Sequence, residues 1–261
     1  MRTRGSRGVN LLAFLALAVG VLLLLSNFLL LSGFNATSLW PLLLVIAGVV
    51  ILFQGDITDS SQVRPFGITR GTVESGTLEM SAGEIDVVIH DLAREGRLAA
   101  GQYAADSRPA LDLTDTHATL RMNRNATPWL SFGDWDVGLA QDLPWDVFVS
   151  TSFGQVSADL SNTIVQKAVI ATGIGDIRLT APNEAFEPLI LRSAVGDLHV
   201  YTPAGTRAII YVNPSPFLGI HANMSRYTQA ETGEYVARNA DYSLNPVEIH
   251  VSGTFGEVYL A

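Results

Sequence analysis

The chain of 261 residues has no cysteine, and its single lysine is Lys167. The first absence excludes disulfides, thiolate nucleophiles and cysteine-ligated zinc. The second removes the phosphate-binding lysine of a Gly-x-x-x-x-Gly-Lys-Ser/Thr loop, because Lys167 stands in no such phrase. His-Glu-x-x-His and Gly-x-Ser-x-Gly are missing as well. Charge is sparse, at 16% of residues, and unevenly placed. Before Asp56 the only charges are Arg2, Arg4 and Arg7; the remainder carries 13 basic and 25 acidic residues, a net charge of −12. A surface so acidic lacks the basic footprint that nucleic acid requires. Disorder is excluded by composition, since 48% of residues are hydrophobic.

What is present begins with two apolar runs. Val9–Leu31 is uncharged and, as a helix, spans roughly 35 Å, enough to cross a hydrocarbon core of about 30 Å. It exceeds the apolar core of about 7–15 residues found in a secretory signal. The second run, Leu39–Phe53, extends to Ala36–Gln54 and then reaches about 29 Å. Trp40 would sit near a membrane interface, where amphipathic rings are favoured. Pro41 would fall in the first helical turn, where its missing N–H costs little. The expectation is a basic segment over 1–8, a transmembrane helical hairpin over 9–54 and a polar linker over 55–65. A re-entrant second segment is the alternative. Three arginines precede the first helix and none lies in the loop Ser32–Ser38. The amino terminus is therefore expected in the cytoplasm, and two spans would return residues 66–261 to the same side. The localisation expected is the inner membrane of a bacterial cell.

Beyond the linker the chain repeats itself. An apolar residue, glycine, a usually acidic residue and alternating apolar positions recur as Phe132-Gly133-Asp134-Trp135, Phe153-Gly154-Gln155-Val156, Ile174-Gly175-Asp176-Ile177 and Val195-Gly196-Asp197-Leu198. The glycines stand 21 residues apart. A looser first copy starts at Gly83, and a final one is Phe255-Gly256-Glu257-Val258-Tyr259-Leu260. Apolar columns at 147/168/189/210 and 149/170/191/212 add a second strand to each unit. A unit that cannot bury its own apolar face is stabilised by stacking on identical units. The fold class expected is all-β: a β-solenoid of two-strand, 21-residue repeats over 66–261, behind the membrane hairpin. Trp135, Val156, Ile177 and Leu198 would form one interior ladder. Gly83, Gly133, Gly154, Gly175, Gly196 and Gly256 would mark structural corners needing positive φ or close backbone approach. A sandwich built by duplication is the alternative architecture.

The hairpin phrase Leu39-Trp40-Pro41-Leu42-Leu43-Leu44-Val45-Ile46-Ala47-Gly48 resembles the membrane segment of the LiaF-like family. The Gly-Asp-Ile-x-Leu phrases resemble the toast-rack β domain that follows such anchors. Together the resemblance covers nearly the whole chain. It implies a non-enzymatic role in the response to cell-wall-active antibiotics, with a two-component sensor kinase as the partner restrained. The family's motifs define no functional residue set, so none is carried over.

No cofactor, metal site or small-molecule substrate is expected. His90, His117, His199, His221 and His250 have no metal-ligand spacing in sequence. Glu84, Asp134, Asp176, Asp197 and Glu257 follow the corner glycines and would be solvated turn residues, because the Gly-Gly-x-Gly-x-Asp calcium phrase is missing. Thr151, Thr172 and Ser193 would form a structural hydroxyl ladder. The partners expected are the membrane and either a membrane protein or further copies of the chain. A self-assembling scaffold or adhesin, growing from open solenoid ends, is the alternative function.

Overall fold

The computed structural model describes residues 64–94, 96–103, 107–124, 134–238 and 240–261. The expected hairpin over 9–54, with Trp40 and Pro41, lies outside these residues, as does Gly133. No helix among the described residues is long and apolar enough to cross a membrane.

The described residues are all-β. In chain order the strands are β1 (Arg64–Thr69), β2 (Ser75–Ser81), β3 (Asp86–Leu92), β4 (Arg97–Tyr103), β5 (Ala110–Thr114), β6 (His117–Asn123), β7 (Asp134–Ala140), β8 (Pro144–Phe153) and β9 (Val156–Asp159). They continue as β10 (Ile164–Ile174), β11 (Ile177–Thr180), β12 (Leu189–Val195), β13 (Leu198–Tyr201), β14 (Ala208–Asn213), β15 (Phe217–Ala222), β16 (Tyr227–Glu231), β17 (Glu234–Ala237) and β18 (Val247–Leu260). Period-two sequences form them. In β8, Trp145, Val147, Val149 and Thr151 are buried while Asp146, Phe148 and Ser150 are not.

Strand pairs stack into rungs with a strand on each of two faces. On one face the parallel order is β6, β2, β8, β10, β12, β18, β14. On the other it is β7, β3, β9, β11, β13, β18, β15. β18 is long enough to serve both faces. Side chains from both faces meet in one core, including Leu78, Val147, Leu191, Ile249, Val156, Ile177 and Leu198. Each such leucine or isoleucine, fully buried, contributes about 1.5–3 kcal/mol.

The order of rungs departs from the order of repeats. The rung at 134–140 does not stack on the rung at 144–159, although their glycine phrases are 21 residues apart. β3 lies between β7 and β9, so Val87 pairs with both Trp135 and Val156. At the other end β18 lies between β13 and β15, and Val258 pairs with both Leu198 and Ile220. The interior ladder is therefore Trp135, Val87, Val156, Ile177, Leu198, Val258 and Ile220. The expected ladder of four neighbours is corrected accordingly. The reason is hydrogen bonding: a rung inserted between two others satisfies ladders on both its edges, whatever its place in the chain.

Antiparallel strands close most of the stack. β5 pairs with β6, β17 with β14 and β16 with β17 on one face. On the other, β4 pairs with β7 and β1 with β4. The apolar carboxyl-terminal strand β18 is interior, between β12 and β14 on one face and β13 and β15 on the other.

Candidate functional site

The glycine phrases build one edge of the stack, where the chain turns from one face to the other. Gly175 has φ +148°, and a Cβ there would lie 2.0 Å from the Gly154 carbonyl oxygen. Gly154, Gly196 and Gly256 face the carbonyls of Ile85, Gly175 and Gly196 in the same way. Any side chain is excluded twice, by φ and by the neighbouring rung. Gly83 is placed differently. It stands two residues ahead of this column, whose position in that rung is taken by Ile85, and a Cβ on it would meet nothing within 4 Å. Its carbonyl accepts hydrogen bonds from the backbone N–H groups of Ser152 and Phe153.

Two ladders of side chains hold the turns. The Thr151, Thr172 and Ser193 hydroxyls each donate, at 3.2 Å, to the carbonyls of Gly83, Gly154 and Gly175. All three are buried. The acidic column binds backbone on the next rung. Asp86 accepts from the N–H of Gln155 at 2.7 Å, Asp176 from Asp197 at 2.9 Å and Asp197 from Glu257 at 2.9 Å. One carboxylate oxygen thus caps an N–H that the turn leaves without a strand partner. Asp86, and not Glu84, fills this role in its rung.

The residue before each corner position makes the most unusual surface feature. Phe153 pairs with Ile174, Ile174 with Val195, Val195 with Phe255 and Phe255 with Phe217. These five large apolar side chains lie in register on five adjacent rungs and are 43–64% exposed. The Phe217 and Phe255 rings stack with centroids 4.9 Å apart. At about 4.8 Å per rung the ridge is roughly 19 Å long. One flank carries the small residues Ser152, Gly173, Ala194 and Thr254, and the other, across the glycines, carries Asp176, Asp197 and Glu257. Period two would turn these apolar residues inward after Thr151, Thr172 and Ser193. The chain bends at the glycine first, and they project off the edge instead.

A family model for the N-terminal domain of toast_rack, DUF2154, matches residues 66–201. The chain belongs to the toast-rack family. The match covers the rungs from β2 to β13 and includes three of the five ridge residues, Phe153, Ile174 and Val195. Among solved structures, the toast-rack chain is similar to a candidate cell adhesion protein from Clostridium sporogenes. The two share 17% identity with a TM-score of 0.66, over 76% of this chain and 98% of that one. A candidate adhesin from Bacteroides fragilis matches over 77% and 98%, at 10% identity and a TM-score of 0.31. The first shows a shared fold. No curated protein matches the chain.

The histidines of the toast-rack domain find ordinary partners. His90 Nε2 lies 2.9 Å from Asp136, and His117 bonds the Ser75 and Thr77 hydroxyls at 2.8 and 3.0 Å. His250 stacks on Tyr211, and His199 and His221 stack on Tyr259 from the strands on either side of it, with ring centroids 4.7 and 5.1 Å away. Tyr259 donates to Glu257, and this bond, with lesser help from burial and nearby carboxylates, pushes its hydroxyl up to about 12. Among the described residues no group of three or more His, Asp or Glu is placed to hold a metal ion. The ridge is the feature that sequence reasoning missed. Its signal was an apolar residue immediately before Gly154, Gly175, Gly196 and Gly256.

Proposed function

We propose that this toast-rack protein is a non-enzymatic, membrane-anchored scaffold of the bacterial envelope that acts through protein–protein contacts. The observation that supports this most is the exposed ridge from Phe153 to Phe217. Continuous apolar patches of a few hundred Å² on a folded surface mark interaction sites more often than chance exposure. The apolar runs over 9–54 supply the anchor, with the amino terminus and the β domain in the cytoplasm. A LiaF-like role, restraining a two-component sensor kinase of the cell-wall stress response, is the specific form proposed. A self-assembling or adhesin-like role is the second reading. It draws on β15, which pairs with β18 on one edge and with no other strand among the described residues.

The test is made in cells that carry the full chain. A double variant, Val195→Ser with Phe255→Ser, alters two exposed residues and leaves the core intact. It is expected to free the kinase and switch on the cell-wall-stress transcriptional response without antibiotic, at unchanged protein level. A response that stays off until antibiotic is added, as in the parent, would overturn the scaffold reading. A one-sided reporter fused after Ala261 tests the topology: cytoplasmic signal is expected, and external signal would favour the adhesin.

A further inference from the structure

We infer that the ridge docks an amphipathic cationic helix from a protein partner. This rests on the scaffold reading and adds the chemistry of what is bound. The ridge is one residue wide. Five large side chains, about 200 Å² each and half exposed, offer on the order of 500 Å². A stable interface between folded copies needs roughly 800 Å² from each partner. In a second copy, residues 56–261 would also bring another −12 of charge against an equally acidic surface. A single secondary-structure element matches the dimensions better. A helix presents an apolar residue on one face once per turn, about every 5.4 Å, against about 4.8 Å between rungs. A strand repeats its face only about every 6.7 Å. About 13 residues of helix would cover the full ridge.

The flanks fix the charge and the orientation. On one side Ser152, Gly173, Ala194 and Thr254 form a low floor onto which a helix can settle. On the other, Asp176 and Asp197 each use one carboxylate oxygen on a backbone N–H. Among the described residues no hydrogen bond engages the second oxygen of either, which suits an incoming cation. Glu257 is engaged by Tyr259 and lies 3.6 Å from His221, so the negative strip is strongest at the middle of the ridge. A helix with an apolar stripe and Lys or Arg along one flank complements both features. Such segments are common just inside a membrane, where cytoplasmic ends of spanning helices are rich in Lys and Arg. A membrane-anchored domain on the same side has them within reach.

The experiment uses the full chain in phosphatidylcholine nanodiscs, with empty nanodiscs subtracted. The probe is a labelled helical peptide of about 14 residues, with leucine on one stripe and lysine on one flank. Fluorescence anisotropy is expected to show saturable binding that weakens as salt is raised. Val195→Ser with Phe255→Ser should weaken it about tenfold, as should Asp176→Asn with Asp197→Asn, which keeps an acceptor for each backbone N–H. Equal binding of a peptide with glutamate in place of lysine would overturn the proposal. So would binding unchanged by the ridge variant, or peptide-independent dimers that the ridge variant dissolves. An antibiotic-independent cellular response in the ridge variant without any peptide binding would overturn this inference and leave the scaffold reading standing. Peptide binding to the parent chain with an unchanged, antibiotic-dependent response in the ridge variant would do the reverse.

Discussion

The Asp176 carboxylate accepts the backbone N–H of Asp197 at 2.9 Å, one rung further along the stack. The bond spans 21 residues of chain and repeats from Asp197 to Glu257 across 60. Removing it leaves an N–H at the turn to find water. Asp176→Ala is expected to lower stability by about 1 kcal/mol, and Asp176→Asn by distinctly less because its amide oxygen still accepts. Urea unfolding of the two variants checks this. Equal losses would mean that the carboxylate's bond is not what stabilises the corner.

Gly175 and Gly71 separate the two reasons for glycine. Both have positive φ, but only at Gly175 would a Cβ meet a carbonyl oxygen, at 2.0 Å; at Gly71 nothing lies within 4 Å. Gly71→Ala should cost about 1–2 kcal/mol, the penalty for the left-handed conformation alone. Gly175→Ala should cost about 3 kcal/mol or more, because a whole rung must also move. Similar midpoints in thermal unfolding would refute the stacking account of the glycine column.

Val195 and Leu198 lie three residues apart on opposite sides of the corner. Leu198 is fully buried and Val195 is 43% exposed. Leu198→Ala is expected to cost about 2–5 kcal/mol, through lost burial and the cavity left behind. Val195→Ser should stay within about 0.5 kcal/mol of the parent and reduce binding of a hydrophobic dye. A large loss of stability in the valine variant would show that the ridge is structural.

Tyr259 should set an upper pH boundary. Its hydroxyl is pushed up to about 12 by donation to Glu257, above the ordinary tyrosine value of 10.0. The folded chain therefore holds this proton more tightly than the unfolded chain. Its contribution to stability is complete below pH 10 and is lost as pH rises toward about 12. Tyr227, raised mainly by burial, acts in the same direction. Phenolate absorbance should show late-titrating tyrosines, one of which Tyr259→Phe removes. A tyrosine at 259 that titrates with the exposed ones would contradict the Glu257 bond.

Local pattern carried much of this fold. Alternation over short windows placed Val147, Val149, Val156, Ile177 and Leu198 inside. The recurrence of Gly154, Gly175 and Gly196 marked where the chain turns, because a carbonyl on the next rung leaves no room for a side chain. The acidic and hydroxyl columns were visible for the same reason, although what their oxygens bind was not. Gly83 misled the alignment, since its glycine and acid sit two residues ahead of Ile85 and Asp86, which occupy the stacked positions.

Residue period and composition were therefore enough, by themselves, to determine the all-β character, the inward faces and the acidic surface. Each depends on interactions within a few residues or on charge alone. Tertiary structure alone decided which rungs are neighbours. Parallel ladders are satisfied equally well by a rung from anywhere in the chain, so Val87 enters between Trp135 and Val156, and Val258 between Leu198 and Ile220. It also decided that Phe153, Ile174, Val195, Phe255 and Phe217 form a single exposed ridge. Val195 and Phe217 are joined only because Phe255 of β18 lies between them, and no local pattern encodes a pairing made by closing so long a loop of chain.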